Sequence, residues 1–181
     1  MAEIKQLGAF REFFKSEKKF NVLIGGSGSG KSYAAADDTI LRTIQPYKTR
    51  YIVARKVAKT MRASVFDLLI NRIAAMGLSS VFVVNKTEMS FKCKNGNDII
   101  LVGLDDVNKL KSIYDPTDAW TEEADQTTQA DLEEIERRIR TVTGRPAKIT
   151  LTLNPTSAFS WIKSYFFDSP DASDVYTLKT T

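Results

Sequence analysis

A glycine-rich segment carries the strongest chemical signal in the sequence. It consists of Gly25, Gly26, Ser27, Gly28, Ser29, Gly30, Lys31 and Ser32. The spacing fits G-x-x-x-x-G-K-[ST], in which glycines let backbone N–H groups converge on phosphate oxygens. The lysine of this motif reaches the β- and γ-phosphates, and the serine hydroxyl binds Mg²⁺. A flexible Gly/Ser turn is the alternative, but a predicted strand before the segment and a helix after it favour a nucleotide-binding P-loop.

A pair of acidic residues lies where hydrolysis of a nucleotide would need it. Glu122 and Glu123 end a short stretch that begins at Ala119. Hydrolysis requires a carboxylate that supports Mg²⁺ and a group that orients water, so we expect these roles for Glu122 and Glu123, respectively. The first acid of such a pair is usually Asp, so Asp118 or Asp125 could hold part of the role. A solvated acidic loop is the alternative.

Polar and basic side chains elsewhere have less specific patterns. Thr152 and Asn154 lie at the end of an apolar stretch, where a neutral side chain could sense a γ-phosphate and couple its loss to motion; a plain Asn-Pro turn is the alternative. A basic cluster could contact DNA phosphate or a neighbouring subunit's ATP, or could be solvated surface. It consists of Arg55, Lys56, Lys59 and Arg62. A second cluster, Arg137, Arg138 and Arg140, shares a predicted helix with glutamates at i,i+4 spacing, which favours surface ion pairs.

The hydrophobic pattern predicts the elements that must position these residues. Predicted helices cover Gln6–Ser16, Lys31–Thr43, Val57–Met76 and about Ala130–Val142. Predicted strands cover Asn21–Ile24, Tyr51–Ala54, Val81–Val84, Met89–Cys93, Ile99–Leu104, Ala119–Glu122, Ile149–Leu153 and an edge strand at Val175–Leu178, with a turn at Asn95-Gly96. Alternating strands and helices indicate an α/β fold with a mainly parallel sheet, whose ligands bind at the carboxyl ends of the strands.

Composition excludes several classes of protein. The 181 residues are 43% hydrophobic and 27% charged, and they include no histidine and a single cysteine, Cys93. The absence of histidine excludes a Ser-His-Asp triad, a Cys-His dyad and His-containing zinc sites. One cysteine forms no internal disulfide, which is typical of a reducing compartment. No apolar run approaches the roughly 20 residues of a membrane span. We therefore expect one soluble intracellular domain over residues 1–181.

Charge is segregated along the chain. Residues 1–60 carry 12 basic and 5 acidic groups, whereas residues 104–136 carry 2 basic and 11 acidic groups. The basic part could attract phosphate-rich partners, and the acidic part could hold a divalent cation or be solvated surface. The net charge of +4 is too small to decide between DNA and nucleotide.

These motifs together resemble the N-terminal ATPase domain of tailed-phage terminase large subunits, the motors of DNA packaging. The resemblance spans nearly the whole chain. It depends on Gly25–Ser32, on Ala54-Arg55-Lys56 followed by Ser64-Val65-Phe66, on Trp120–Ala124, and on Arg138-Ile139-Arg140 followed by Leu153-Asn154-Pro155 and Trp161. The P-loop alone would be generic, but its combination with Glu-Glu and a late Leu-Asn-Pro is much more specific.

The resemblance implies a P-loop fold of the ASCE type, in which an extra strand separates the P-loop strand from the acidic strand; we expect a β-hairpin insertion as well. It implies that Lys31 and Ser32 bind ATP with Mg²⁺, that Glu122 and Glu123 form the acidic motif, and that Thr152–Asn154 couple hydrolysis to motion. Implied partners are double-stranded DNA, a homo-oligomeric ring, a portal protein and a small terminase subunit. The implied place of action is the procapsid in the host cytoplasm, with no membrane.

The sequence also departs from the family pattern. Many relatives have an arginine in the P-loop where this chain has Ser27, and some carry a trans-acting arginine finger where this chain reads Lys109–Ser112. The finger therefore stays open among Lys111, Arg55 and Arg140. Complete relatives continue into a nuclease domain, whereas this sequence stops at Thr181, so we expect no DNA cleavage.

Three other functions are alternatives to a packaging motor. A helicase- or RecA-like ATPase is one alternative. A small-molecule kinase is another, but it would add a substrate-binding lid, and nothing in the sequence marks an acceptor site. A scaffold that binds nucleotide without turnover is disfavoured by the intact Lys31, Ser32 and Glu123.

Overall fold

The computed structural model describes residues 8–155, 160–168 and 172–180. Within these ranges, eight strands form one sheet. The strands are β1 (Phe20–Gly25), β2 (Arg50–Arg55), β3 (Phe82–Asn85), β4 (Ser90–Cys93), β5 (Asp98–Gly103), β6 (Asp118–Glu122), β7 (Ile149–Leu153) and β8 (Val175–Thr180). The helices are α1 (Arg11–Lys15), α2 (Lys31–Ile44), α3 (Asp67–Ala75), α4 (Val107–Ser112), α5 (Gln129–Arg138) and α6 (Ser160–Phe166). None of these helices is long and apolar enough to cross a membrane.

The order of the strands confirms the predicted α/β fold with an ASCE arrangement. The sheet runs β3-β4-β5-β2-β6-β7-β1-β8. Strand β7 pairs in parallel with both β1 and β6, so it separates the P-loop strand from the acidic strand. Because these strands are parallel, their carboxyl ends meet at one edge of the sheet, where ligands bind in folds of this kind.

Antiparallel strands extend the sheet at one side, as the predicted hairpin requires. Strands β4 and β5 pair in antiparallel fashion, and β3 adds to β4 at the edge. The turn between β4 and β5 contains Gly96 at a φ of +93°, a conformation that favours glycine. At the other edge, β8 pairs in parallel with β1, which confirms the predicted edge strand.

Hydrophobic cores cover both faces of the sheet. On one face, Ile40 of α2 and Leu69 of α3 pack against buried residues that include Trp120 of β6. On the other face, Leu110 of α4 and Ile135 of α5 belong to a core with the apolar side chains of β1 and β7. Burial on both faces explains why β1, β2 and β5 read as nearly continuous apolar runs.

The predicted helix over Val57–Met76 is α-helical only in its second half. The chain instead forms a 3₁₀ turn at Ala58–Thr60 and a π-helical turn at Arg62–Phe66 before α3 begins. The backbone N–H of Ala58 donates to the Asp105 carboxylate at 3.3 Å, which holds this segment against the end of β5. Such long-range contacts override the local helical pattern.

The bounds of the other predicted helices differ less from the observed ones. Helix α5 ends at Arg138, four residues before the predicted end, because the Arg140 N–H donates to the Pro116 carbonyl at 2.7 Å instead of continuing the helix. Helix α1 is shorter than predicted, and the start of that prediction at Gln6 lies outside the described residues. Helices α4 and α6 were not predicted.

Candidate nucleotide site

The P-loop backbone is built for close approach to phosphate. Strand β1 ends at Gly25 and α2 begins at Lys31, so the loop leads directly into a helix N-terminus. Gly28 and Gly30 have φ angles of +82° and +83°, which other residues rarely adopt. A Cβ at Gly25 would lie 2.1 Å from the Thr180 hydroxyl oxygen. The glycines therefore serve both the loop conformation and its packing against β8.

Lys31 is held over the loop by two acceptors. Its Nζ donates to the Gly26 carbonyl at 3.1 Å and to Asn154 Oδ1 at 3.0 Å. The Asn154 N–H in turn donates to the Asp125 carboxylate at 3.2 Å. The predicted coupling residue thus contacts the predicted phosphate-binding lysine directly, and Asp125 fixes the end of β7.

Both carboxylate oxygens of Glu122 are in contact with hydroxyl groups. The Ser32 hydroxyl donates to Glu122 Oε1 at 2.7 Å, and the Thr152 hydroxyl contacts Oε2. Burial raises the pKa of Glu122 above its usual value, although these hydrogen bonds and the charge of Lys31 oppose that shift. A cation beside this carboxylate would favour its charged form.

Glu123 has a left-handed backbone conformation, and its carboxylate is bound by a basic side chain. Its φ is +52°, in the left-handed region that non-glycine residues uncommonly adopt and that Met89 and Asp115 also occupy. Arg55 Nε donates to Glu123 Oε2 at 2.9 Å, and Gln126 Nε2 donates to the same oxygen at 2.9 Å. Arg55 is itself anchored by Ser64 Oγ at 2.7 Å in the π-helical turn. The turn that broke the predicted helix therefore positions Arg55 beside Glu123.

These side chains line one cavity of about 150 Å³. Its lining consists of Ser27, Gly28, Lys31, Ser32, Glu122, Glu123, Thr152, Leu153 and Asn154. A second cavity of about 360 Å³ lies along the start of α2, from Gly28 to Tyr33. The structure thus brings together the P-loop, the acidic pair and the end of β7, as we predicted from three separate stretches of sequence.

The candidate finger residues have different surroundings. Arg55 contacts Glu123 of the same chain, whereas Lys111 and Arg140 are exposed and are not part of the cavity lining. The Lys111 carbonyl accepts from Arg138 Nη1 at 3.3 Å, which places the end of α4 beside the end of α5. Arg140 lies at the amino end of β6, opposite to the P-loop edge of the sheet.

Asp118 does not share the acidic role. It is fully buried at the start of β6, where it accepts hydrogen bonds from Arg42 at 2.7 Å and Arg145 at 2.8 Å. Burial alone would raise the pKa of Asp118, but the hydrogen bond from Arg145 and the charge of Arg42 hold it below its usual value. Asp118 is therefore part of a structural ion cluster at the opposite end of the sheet.

The oxygen donors at the P-loop suit a hard cation. Ser32 Oγ and the Glu122 carboxylate lie within hydrogen-bond distance of each other at the N-terminus of α2. The described residues contain no group of three His, Cys, Asp or Glu side chains that could hold a metal on its own. Mg²⁺ is commonly bound by one or two protein oxygens together with substrate phosphates and water, and this donor set fits that pattern.

Two contacts of the site were not predicted from the sequence. The ion pair of Arg55 with Glu123 joins the ends of β2 and β6, and Thr152 reaches Glu122 across β6 and β7. The parallel register that pairs Glu122 with Thr152 would have indicated the second contact, had the strand order been known. No local sequence pattern indicates the first.

Comparisons with known proteins agree with this arrangement. The family model for the phage terminase large subunit matches residues 17–181. The PBSX phage terminase large subunit of Bacillus subtilis (strain 168) is 28% identical over 174 residues, which are 92% of this chain and 40% of that protein. This chain thus spans about two fifths of the length of that relative.

Solved structures share the fold. The large terminase from a thermophilic bacteriophage, in complex with ADP, has a TM-score of 0.77 at 16% identity, over 98% of this chain and 44% of that chain. The N-terminal domain of the DNA packaging ATPase from bacteriophage phi29 has a TM-score of 0.66 at 20% identity, over 94% of each chain. Since the family model covers all but the first 16 residues and the same fold recurs in these proteins, the chain belongs to the phage terminase large subunit family.

Proposed function

We propose that this chain is the part of a phage DNA-packaging motor that binds and hydrolyses ATP. One observation carries the proposal: Lys31 and Ser32 of the P-loop share a cavity with both acids, Glu122 and Glu123. A loop that only bound nucleotide would not require an acid pair opposite its lysine. Membership of the terminase family favours a packaging motor over a helicase- or RecA-like ATPase.

Nucleotide binding would use the groups that surround the P-loop. Backbone N–H groups of Gly28–Ser32 and the start of α2 would surround the phosphates, with Lys31 at the β- and γ-phosphates. Ser32 and Glu122 would hold Mg²⁺, which when bound with ATP neutralises charge on those phosphates. Phosphate oxygens would compete with Asn154 for Lys31, because a charged acceptor forms the stronger hydrogen bond.

Glu123 is the group that would activate water. Its carboxylate accepts a proton while the water oxygen bonds to the γ-phosphorus and the bond to the β–γ bridging oxygen breaks, which yields ADP and phosphate. Arg55 occupies Glu123 Oε2 in the structure, so loosening this ion pair would make that oxygen available to orient water as well. A cation from a neighbouring subunit would stabilise the transferring phosphoryl group.

Asn154 would couple the reaction to movement. While Lys31 engages a γ-phosphate, the Asn154 side chain is released, and when phosphate leaves, Lys31 returns to Asn154 Oδ1 as seen at 3.0 Å. Thr152 and Asn154 lie at the end of β7, so such a change would be passed to the segment that follows this strand. We propose double-stranded DNA, a ring of identical subunits, a portal protein and a small terminase subunit as the partners of this movement.

Steady-state ATP hydrolysis tests the proposal. We expect Lys31→Ala to abolish Mg-dependent hydrolysis and Glu123→Gln to lower it by roughly 10²- to 10⁴-fold, the range for losing a general base. Lys92→Ala is the control, since Lys92 of β4 is exposed outside the cavity. Hydrolysis that survives Glu123→Gln unchanged would show that another residue activates the water.

A further inference from the structure

A buried chain of hydrogen bonds leads from the sheet interior to the metal-binding oxygens. Trp120 Nε1 donates to Thr152 Oγ1 at 2.8 Å, and the Thr152 hydroxyl contacts Glu122 Oε2. The other oxygen of Glu122 accepts from Ser32 at 2.7 Å. Four side chains from β6, β7 and α2 are thus linked in series.

The parallel register of β6 and β7 creates this chain. Trp120 and Glu122 are two residues apart on β6, so both project to the same face of the sheet. Thr152 is the register partner of Glu122 and shares that face. Trp120 and Thr152 are both fully buried, so water has no access to replace the hydrogen bond between them.

The chemistry of the three groups sets the direction of each hydrogen bond. An indole N–H only donates, so Trp120 occupies a lone pair of the Thr152 oxygen. The single hydroxyl proton of Thr152 is then free to be donated to an acceptor elsewhere. The carbonyl of Thr121 is 3.4 Å away, whereas Glu122 Oε2 is in much closer contact. Trp120 therefore turns the hydroxyl proton of Thr152 towards Glu122.

We propose that Thr152 and Trp120 are positioning residues for the Glu122 carboxylate, with Trp120 acting through Thr152. Thr152 fixes one carboxylate oxygen and leaves the other directed at Ser32, where the metal of a bound nucleotide would lie. The inference rests on the proposed function, and it gives Thr152 a role beyond the coupling predicted from its position before Asn154. It also gives the buried Trp120 a role besides packing.

Equilibrium binding of a non-hydrolysable ATP analogue, with Mg²⁺ or with EDTA, tests this role. Thr152→Val keeps the β-branched shape but removes the hydroxyl, and Thr152→Ser retains the hydroxyl as the matched control. We expect Thr152→Val and Trp120→Phe to weaken the Mg-dependent gain in affinity by roughly 10- to 100-fold, the range for losing an outer partner of a metal site, with affinity in EDTA unchanged. Thr152→Ser should behave like the wild type.

Fluorescence of the nucleotide-free protein gives a second readout. In a Trp161→Phe background Trp120 is the only tryptophan, since the chain has two. Removing the acceptor of its N–H should shift the emission of Trp120 to shorter wavelength in Thr152→Val but not in Thr152→Ser. Thermal unfolding of each variant verifies that it is folded.

The outcomes separate this inference from the proposed function. A wild-type protein that binds the ATP analogue neither with nor without Mg²⁺ would overturn the proposed function and this inference with it. Mg-dependent binding that is normal in the wild type and retained in folded Thr152→Val would overturn the inference alone. An unshifted emission in Thr152→Val would show that Trp120 does not depend on the Thr152 hydroxyl.

Discussion

At the residue scale, the ion pair between Arg55 and Glu123 is the contact with the clearest consequence for activity. Arg55 is held at Nη1 by Ser64 and at Nε by the carboxylate, and its side chain is only 12% exposed. The left-handed backbone of Glu123 adds strain that such contacts must offset. The ion pair therefore restrains the residue expected to activate water.

Removing Arg55 should release that restraint. We expect Arg55→Ala to raise the ATP hydrolysis rate in the absence of DNA by roughly fivefold, as loss of an ion pair worth about 1 kcal/mol implies. Arg55→Lys keeps the charge with fewer hydrogen-bond donors, so its ATP hydrolysis rate should lie between those of the wild type and Arg55→Ala. Thermal unfolding must accompany the kinetics, because Arg55 also contacts the π-helical turn. A lower rate in a folded Arg55→Ala protein would mean that Arg55 assists the reaction.

At the element scale, the end of β1 and the edge strand β8 depend on one glycine. A Cβ at Gly25 would lie 2.6 Å from Ser29 Oγ and 3.0 Å from the Thr180 carbonyl oxygen, as well as against the Thr180 hydroxyl. Gly26, the next residue, has no atom within 4 Å of such a Cβ. Two adjacent glycines of one motif therefore differ in their tolerance of a methyl group.

Urea unfolding of two alanine variants tests this difference. We expect Gly25→Ala to lower the free energy of unfolding by about 1–3 kcal/mol, the usual cost of overpacking, because the Thr180 and Ser29 hydroxyls must move away and the Thr180 carbonyl is in tight contact. Gly26→Ala should change stability by less than about 0.5 kcal/mol, as for other open sites. Equal effects in both variants would show that loop conformation, and not contact with β8, decides the cost.

Elements with a strong local pattern were predictable from the sequence. Strand β7 was predicted at its observed bounds, and α2 was predicted to within one residue, since both combine an apolar pattern with sharp flanking signals. The positions of the glycine-rich loop after β1 and of the two glutamates at the end of β6 were predicted for the same reason. Their meeting in one cavity followed from the parallel order of the strands.

Features that depend on distant partners were not predictable. The segment after β2 reads as an α-helix, but its first turns are 3₁₀ and π-helical and contact the Asp105 carboxylate and Arg55. Likewise, Asp118 resembles an acidic-motif residue until Arg42 and Arg145 are seen to bind it. In each case the outcome depends on a contact between elements that are far apart in the sequence, and no single-sequence pattern carries it.

At the scale of the whole molecule, a cluster of ion pairs joins α2 to the sheet at the end opposite to the nucleotide site. Asp118 of β6 is bound by Arg42 of α2 and by Arg145 of the segment before β7. Lys148 pairs with Asp38 of α2 at 3.1 Å, also buried. These contacts tie α2 to the start of β6 and to the segment before β7.

Low pH should weaken the ion pairs of Asp118 in this cluster. The pKa of Asp118 in the folded protein is below its usual value of 3.8, so the folded state binds this proton less readily than the unfolded chain. Its stabilisation is therefore complete above that usual value and is lost as pH falls through the lower folded-state pKa. We expect Asp118→Asn to lose about 3–5 kcal/mol at neutral pH, because it leaves buried arginines unpaired.

Urea unfolding at neutral and acidic pH measures the effect. Asp118→Asn should show a flatter decline in acid than the wild type, since the titrating carboxyl is gone. Asp168→Asn is the control, because the pair of Asp168 with Lys163 is exposed and should contribute about 0–1 kcal/mol. Identical acid profiles for the wild type and Asp118→Asn would exclude Asp118 as the titrating group.

A ring of subunits would complete each site with a cation from a neighbour, and two candidates for it lie outside the chain's own cavity. Lys111 and Arg140 are exposed, whereas Arg55 is engaged with Glu123 of its own chain. A finger acting in trans makes hydrolysis depend on contact between subunits and contributes roughly 10³- to 10⁵-fold to the rate in other P-loop proteins. Hydrolysis per molecule should therefore rise with protein concentration.

Mixing two defective variants tests completion by a neighbour directly. Glu123→Gln lacks a working site but keeps its exposed cations, and the double variant Lys111→Ala with Arg140→Ala keeps its site but lacks both cations. Each should be nearly inactive alone, and a mixture should recover ATP hydrolysis, because each intact site can then meet an intact cation. Full activity of the double variant alone would exclude both residues as the finger. Two inactive partners that stay inactive when mixed would argue against completion in trans.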